Sequence, residues 1–188
     1  MVNNYTRWWL PAFILLFSPA WFGAAPGHAM DFGSLWPSES CAVCGKPFRH
    51  TGLDIAGREG DRVVFRRHMR FFASGYDTTG WKGYVLAGRH ANTFTVLIFH
   101  LDNIPVFAKG EDLYGKTIGT VANLERRKTS PHLHLGYRKA PYTGTSLLPI
   151  VGALPDCPHE AKVLPEFPEH FLDPSRLGRI IEVVPVYR

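Results

Sequence analysis

The sequence predicts a mainly β domain, built from antiparallel strands that are joined by turns. Short runs of β-branched and aromatic residues recur between residues 62 and 137, and each has the length of a single strand. Glycines separate several of these runs, as turns between short strands require. Long amphipathic helical periodicity is absent from the sequence, so we do not expect helices to build the core.

Six segments of the domain each fit one strand: Val63–Phe65, Gly83–Ala87, Thr93–Phe99, Val106–Phe107, Thr117–Val121 and His132–Tyr137. From Ala140 onward the composition shifts towards proline, which predicts an irregular C-terminal extension packed on the domain instead of a second core. Within this extension, Asp173 and Pro174 fit the cap and the first position of a short helix. Residues 180–184 fit a last strand.

The first 29 residues have the features of a secretory signal peptide. Arg7 supplies the positive charge, the run from Trp8 to Phe22 is almost wholly apolar, and Gly27-His28-Ala29 offers small residues before a cleavage site. An uncleaved anchor helix is the alternative, but two prolines interrupt an apolar run that is already short for a bilayer. We therefore expect an exported protein, periplasmic or secreted, without a stable membrane span after cleavage.

The charge of the chain is mildly basic, with 21 Lys and Arg residues against 16 Asp and Glu residues. The basic residues are scattered, apart from Arg66-Arg67 and Arg126-Arg127-Lys128, which we interpret as solvated loops or strand edges. A polybasic stripe with interleaved aromatic residues is missing from the sequence, and an exported protein rarely meets nucleic acid. Nucleic acid is therefore not an expected partner.

The chain has three cysteines, Cys41, Cys44 and Cys157. Because thiols outside the cytoplasm tend to be oxidised, the predicted export favours a disulfide between two of them. The Cys-x-x-Cys spacing could be half of a zinc knuckle, but a second cysteine pair is absent. It could also be a redox pair, but no thioredoxin-like βαβ pattern surrounds it. We predict a structural disulfide that joins Cys157 to either Cys41 or Cys44.

Two histidines stand two residues apart in the segment SPHLHL at 130–135. Side chains of a strand alternate with period two, so His132 and His134 face the same side. Paired imidazoles suit a divalent metal such as zinc. Alone, such a pair is more often found at a surface than in a metal site.

Upstream, His50 and Asp54 lie four residues apart around a glycine, where a turn could direct both towards one ion. Three protein ligands drawn from His and Asp, with a fourth position open, are typical of catalytic zinc. His50, Asp54 and either His132 or His134 would complete such a set, and the spacing leaves that choice open. His100, at the end of an apolar run, either joins this group or simply caps a strand.

In combination, these motifs resemble those of the LytM/lysostaphin-type zinc metallopeptidases, peptidase family M23, over roughly residues 46 to 138. HTGLDIA at 50–56 is similar to the family element H-x-G-[IVL]-D-[IL]-A, and EGDRV at 59–63 follows it as the usual strand. FHLD at 99–102 resembles Y-x-H-L, AKGEDLYGKTIG at 108–119 resembles V-K-x-G-D-x-V-x-x-G-x-x-I-G, and SPHLHL resembles G-P-H-L-H-F.

The resemblance implies that His50, Asp54 and His134 bind one zinc ion, and that His100 and His132 are a catalytic pair beside it. It also implies a small antiparallel β-sheet domain, LytM-like, with a groove over the sheet. Hydrolysis would use water activated at the zinc, with the two free histidines as general base and oxyanion donor in an order that the sequence leaves open. The implied substrate is the peptide part of bacterial peptidoglycan, cut as by an endopeptidase.

Two other functions stay open at this point: a non-catalytic wall-binding or amidase-activating module of the same fold, and a zinc peptidase acting on a protein. The chain departs from the family pattern at Ser130, at Leu135 and along residues 71–81, all of which concern packing and groove walls. The expected organisation is a signal peptide at 1–29, a lead-in segment at 30–45, a peptidase domain at 46–140 and the extension at 141–188.

Overall fold

The computed structural model describes residues 30–40, 47–77, 80–89, 94–139, 153–155 and 171–187. The signal peptide and the disulfide predicted from the sequence lie outside the described residues. Within the described ranges, no helix is long and apolar enough to cross a membrane.

The described residues form strands and two short 3-10 helices, at Glu125–Arg127 and Pro174–Leu177. The strands are β1 (Leu35–Ser40), β2 (Pro47–His50), β3 (Gly52–Ala56), β4 (Arg62–Phe65), β5 (Arg70–Tyr76), β6 (Gly83–Gly88), β7 (Thr95–Asp102), β8 (Thr117–Val121), β9 (His132–Arg138), β10 (Ala153–Pro155) and β11 (Ile181–Val184). All their pairings are antiparallel, which confirms the predicted mainly β fold.

A small sheet has the order β1-β2-β10, and a larger sheet has the order β11-β4-β8-β7-β6-β5, with β9 and then β3 attached to β7. Strand β7 has β6 along one edge and two neighbours along the other. Its first part, Thr95–Phe99, pairs with β9, whereas Leu101 and Asp102 pair with β8. The sheet therefore divides at His100.

The two faces of β7 bury different side chains. Val96 and Ile98 pack into the main hydrophobic core, whereas Leu97 and Phe99 belong to a smaller apolar cluster. Leu101 then returns to the main core, so the alternation skips one residue at this point. Because side chains of a strand alternate between its faces, this skip marks His100 as an extra residue in the strand.

Several strand predictions are confirmed, among them Thr117–Val121 with the same bounds. The prediction of a strand at Val106–Phe107 is wrong, because these residues lie in an irregular segment and Val106 is 99% exposed. Pro105 precedes them and offers no backbone donor for pairing. Strands β1, β2, β3, β5 and β10 were not predicted, since they carry few β-branched residues.

The last described residues are more regular than the predicted extension. Asp173 caps a 3-10 helix, accepting a hydrogen bond from the Ser175 amide at 2.9 Å, and Pro174 is its first residue. Strand β11 pairs with β4 and becomes an edge of the larger sheet. Ile180 and Ile181 are buried in the main core, so this part of the chain helps to build the domain.

Candidate metal centre

Asp54 in β3 and His134 in β9 lie directly opposite each other in the antiparallel register. Directly opposed residues project from the same face of a sheet, so pairing alone directs both side chains to one place. On its other side, His134 opposes Phe99 of β7. The imidazole therefore lies on the face of the sheet that carries the smaller apolar cluster.

His50 reaches this place from the other sheet, as the last residue of β2. Thr51 separates β2 from β3, so the predicted turn is a change of strand between the two residues. The backbone of the lead-in segment holds His50 on both sides, with Gly33 donating to its carbonyl at 2.8 Å and Ser34 accepting from its amide at 2.9 Å. Nδ1 lies 3.3 Å from the carbonyl oxygen of Asp31, which leaves Nε2 directed at the site.

Three donor atoms converge: His50 Nε2, Asp54 Oδ1 and His134 Nδ1. The two nitrogens are 2.9 Å apart, and Oδ1 lies 3.2 Å from the His50 nitrogen and 3.4 Å from the His134 nitrogen. Ligands bound tetrahedrally at zinc distances are separated by about 3.3 Å, so these separations match the ligand edges of such a shell.

The chemistry of these donors also fits a cation. The three side chains are almost fully buried, and Asp54 Oδ1 accepts no hydrogen bond from any described residue. Lone pairs facing one another in a buried site need a positive charge between them. The group has the size and the nitrogen and oxygen donors of a site for one divalent metal ion.

The ionisation of the group agrees with this arrangement. Burial alone would raise the pKa of the Asp54 carboxyl, but the adjoining imidazoles of His134 and His50 outweigh it and hold that pKa well below its usual range. Burial lowers the pKa of His134, so its imidazole stays neutral at neutral pH. A carboxylate and a neutral imidazole are the forms that bind metal.

Gly52 gives the His134 ring its space. A Cβ atom on Gly52 would lie 2.5 Å from Cε1 and 2.6 Å from Nε2 of His134, and 2.6 Å from the carbonyl oxygen of Leu135. Nε2 makes no hydrogen bond with the described residues, so packing holds this edge of the ring. The glycine of the H-x-G-x-D motif is thus required by close contact.

His132 stands two residues before His134 and faces the same side. Its Nδ1 lies 2.7 Å from the Ser130 carbonyl oxygen, which can only accept, so Nδ1 carries the proton. Nε2 then offers a lone pair towards the site, 3.9 Å from Asp54 Oδ2.

His100 reaches the same site through a β-bulge. Gly83 and Tyr84 of β6 pair with Leu101 and Phe99, so His100 is the unpaired extra residue, and its φ of 67° is left-handed. This conformation, uncommon outside glycine, puts its ring beside Phe99, with a centroid separation of 4.5 Å. An unbulged strand would direct residue 100 to the opposite face from Phe99.

The Trp81 carbonyl oxygen, 3.0 Å from His100 Nδ1, fixes the tautomer of His100. Burial lowers the pKa of this imidazole to about 3, so its Nε2 is unprotonated at neutral pH. The ring centroids of His100 and His132 are 4.8 Å apart, and that of His134 lies 6.4 Å from His100. Both histidines of the predicted catalytic pair therefore present a free nitrogen beside the three donor atoms.

The structure brings together all five side chains that the sequence predicts for the site: His50, Asp54, His100, His132 and His134. The sequence reasoning missed Trp81, Gly52 and the lead-in backbone. The H-x-G spacing within the motif was a signal for Gly52, whereas nothing in the sequence identifies the partner carbonyls of Trp81 and Asp31.

Comparison with known proteins assigns residues 48–149, more than half of the chain, to the family described as peptidase family M23. Among curated proteins, none matches the chain. Several solved structures are similar to this chain at low identity, and three of them are described next. LytU is 17% identical, with 63% of this chain and 77% of that chain covered and a TM-score of 0.49. The lysostaphin catalytic domain from Staphylococcus simulans is 16% identical, with 62% of this chain and 82% of that chain covered and a TM-score of 0.43. The catalytic domain of the prophage-encoded M23 protein EnpA from Enterococcus faecalis, a point variant, is 18% identical, with 65% of this chain and 92% of that chain covered and a TM-score of 0.46.

On the strength of the family match, this chain belongs to peptidase family M23.

Proposed function

We propose that this protein is an exported zinc metalloendopeptidase that hydrolyses peptide bonds of bacterial peptidoglycan. The observation that carries the proposal is the convergence of His50 Nε2, Asp54 Oδ1 and His134 Nδ1 within 3.4 Å of one another, with two further imidazoles beside them. Membership of a peptidase family supports the class of reaction. We assign the peptidase domain to residues 46–140.

We assign one zinc ion per chain to His50, Asp54 and His134. These residues leave a fourth position of a tetrahedral shell open, which distinguishes catalytic from structural zinc sites. Zinc held there would act as a Lewis acid that lowers the pKa of water towards neutrality and polarises a peptide carbonyl.

His132 and His100 would transfer the protons of the reaction. Each donates its Nδ1–H to a backbone carbonyl, of Ser130 and of Trp81, and so keeps Nε2 as a proton acceptor facing the site. One of them takes a proton from the attacking water, and a protonated imidazole can then donate to the oxyanion or to the leaving amine. The backbone carbonyls stabilise the resulting imidazolium, because each accepts the other N–H throughout.

We propose that a groove for an extended peptide runs over the face of the sheet that carries the site. On this face Leu97 and Phe99 are buried beside His134, and the partly exposed side chains of Tyr84, Trp81 and Phe72 pack against them. Apolar and aromatic side chains with a few fixed polar groups are typical of binding clefts. Peptidoglycan peptides as substrate rest on the family and on the predicted export.

The proposal is tested by digesting purified peptidoglycan with zinc-loaded protein and identifying the fragments by mass spectrometry. New amino termini within the peptide part are expected, and the His134→Ala variant, deprived of one ligand, is the matched inactive control. Binding of the polymer without new termini would instead favour a wall-binding or amidase-activating module. Cleavage of an unfolded protein but not of peptidoglycan would favour a protein substrate.

A further inference from the structure

Arg127 has an unusual environment for an exposed basic residue. It ends the 3-10 helix Glu125–Arg127, and its guanidinium lies over the Trp81 ring, with its central carbon 4.1 Å from the ring centroid. Its stem passes Gly80, next to Trp81, at ordinary contact distance, since a Cβ on Gly80 would lie 3.8 Å from Arg127 Cδ. Within the described part of the chain, no carboxylate pairs with this guanidinium.

Some other basic side chains of the domain do have acidic partners. Arg66 donates to Glu182 at 2.6 Å, and Lys82 lies 3.3 Å from Asp102. Lys116 pairs with Glu111. Stacking on an aromatic ring occupies only the flat face of a guanidinium, so the N–H groups at the edge of Arg127 remain available. That edge has the fork geometry which binds a carboxylate through two parallel hydrogen bonds.

Trp81 connects Arg127 directly to the catalytic pair. Its carbonyl oxygen accepts from His100, its ring centroid lies 5.3 Å from that of His100, and its amide donates to Asp77 Oδ2 at 3.1 Å. Trp81 is thus held at both its amide and its carbonyl, and its ring supports the guanidinium at a fixed position. Arg127 lies two ring contacts from His100, a distance that about three residues of an extended peptide can span.

We propose that Arg127, supported by Trp81, forms a subsite for a free carboxylate of the substrate peptide, within about three residues of the bond that is cut. The inference rests on the proposed function and adds a substrate class to it, acidic peptides. Arg126 and Lys128 add positive charge nearby, but among the described residues neither lies over an aromatic ring.

The test compares two forms of one polymer: untreated peptidoglycan, and the same material whose carboxylates have been converted to carboxamides with carbodiimide and ammonia. The zinc-loaded wild type should release peptide fragments about two- to fivefold faster from the untreated form, the gain expected for one charge-assisted hydrogen-bonded contact near the surface. Arg127→Gln should bring the ratio of the two rates close to one. Arg126→Gln is the matched control, because it removes the same charge from the preceding residue, and it should keep the wild-type ratio.

Arg127→Lys keeps the charge but not the planar fork, and it should give an intermediate ratio. It also keeps the test decisive if Arg127→Gln unfolds. Equal wild-type rates on the two forms would overturn the inference. An equal loss of preference in Arg126→Gln and Arg127→Gln would overturn it too. Either result would leave the proposed function standing. Degradation of neither form by the wild type would contradict the proposed function itself, and the subsite with it.

Discussion

Asp54 and His134 are direct partners in the pairing of β3 with β9, and Oδ1 of the one lies 3.4 Å from Nδ1 of the other. Two residues that are far apart in sequence thus meet through backbone register. His50 is added from a second sheet, and His100 through a bulge. The site therefore depends on the sheet, and each of its parts can be tested separately.

Removing a proposed ligand and removing a proposed catalytic histidine should have different effects. Asp54→Ala and His134→Ala should purify without stoichiometric zinc and without activity, because two donors cannot retain the ion at a buried site. His132→Ala should keep zinc but lose roughly 10²- to 10⁴-fold in turnover, the usual range for general acid–base catalysis. Metal content and peptidoglycan hydrolysis are measured on the same preparations. Full activity of metal-free His134→Ala protein would refute the ligand assignment.

Gly52→Ala should disrupt the metal centre, although it adds a single methyl group. The new carbon would lie 2.5 Å from the His134 ring and 2.6 Å from a backbone oxygen, so the ring must move away from Asp54. We expect a large loss of zinc affinity, measured by competition with a chelating dye. The control is Gly110→Ala, which adds its methyl group at a positive φ where no atom lies within 4 Å. Equal zinc affinities in the two variants would show that the contact is relieved without cost to the site.

Deleting residues 30–34 should weaken metal binding, even though these residues contribute no ligand. The deletion removes the Asp31 carbonyl that orients His50 and the Met30 amide, which lies 3.2 Å from Asp54 Oδ2. Loss of such outer contacts typically lowers metal affinity 10- to 100-fold. Titration with zinc, beside the unfolding curve of the metal-free protein, separates this effect from a general loss of stability. A variant lacking only residues 187 and 188 is the control, and an unchanged affinity after the N-terminal deletion would contradict the prediction.

The metal-free protein should lose stability as the pH falls from 7.5 to 5. Burial lowers the pKa of His100 to about 3 and also lowers that of His134, whereas both would titrate near 6.5 in the unfolded chain. Below about pH 6.5 the unfolded chain therefore binds more protons, and each such group removes up to about 1.4 kcal/mol of stability per pH unit. Above that pH the contribution is complete.

Urea unfolding at pH 7.5, 6 and 5 measures this dependence. The lowered pKa values of Glu111 and Asp112 act mainly below pH 5, so they add little within this window. His100→Gln should flatten the dependence by removing one of the two groups. Constant or rising stability on acidification would contradict the assignment of buried neutral histidines.

Local pattern was enough to predict much of the sheet. Thr117–Val121 was predicted because its β-branched residues prefer a pleated, half-buried surface, and most of β9 was predicted as well. Val106–Phe107 has a β-branched and an aromatic residue as well but forms no strand, because a strand also needs a neighbour to pair with. Strand β3 was missed for the opposite reason: its pairing with β9, not its composition, makes Gly52–Ala56 a strand.

The sequence by itself determined the chemistry of the site: its donor types, the parity that sets His132 and His134 on one face, and the motif spacing that indicates family M23. These properties are local, because they depend on residue type and on the period of a strand. Only the tertiary structure decided that Asp54 opposes His134, that a bulge turns His100 to the same face and that Trp81 fixes its tautomer. Register and bulges depend on which distant strands pair, and that is decided when the whole sheet is assembled and its core is buried.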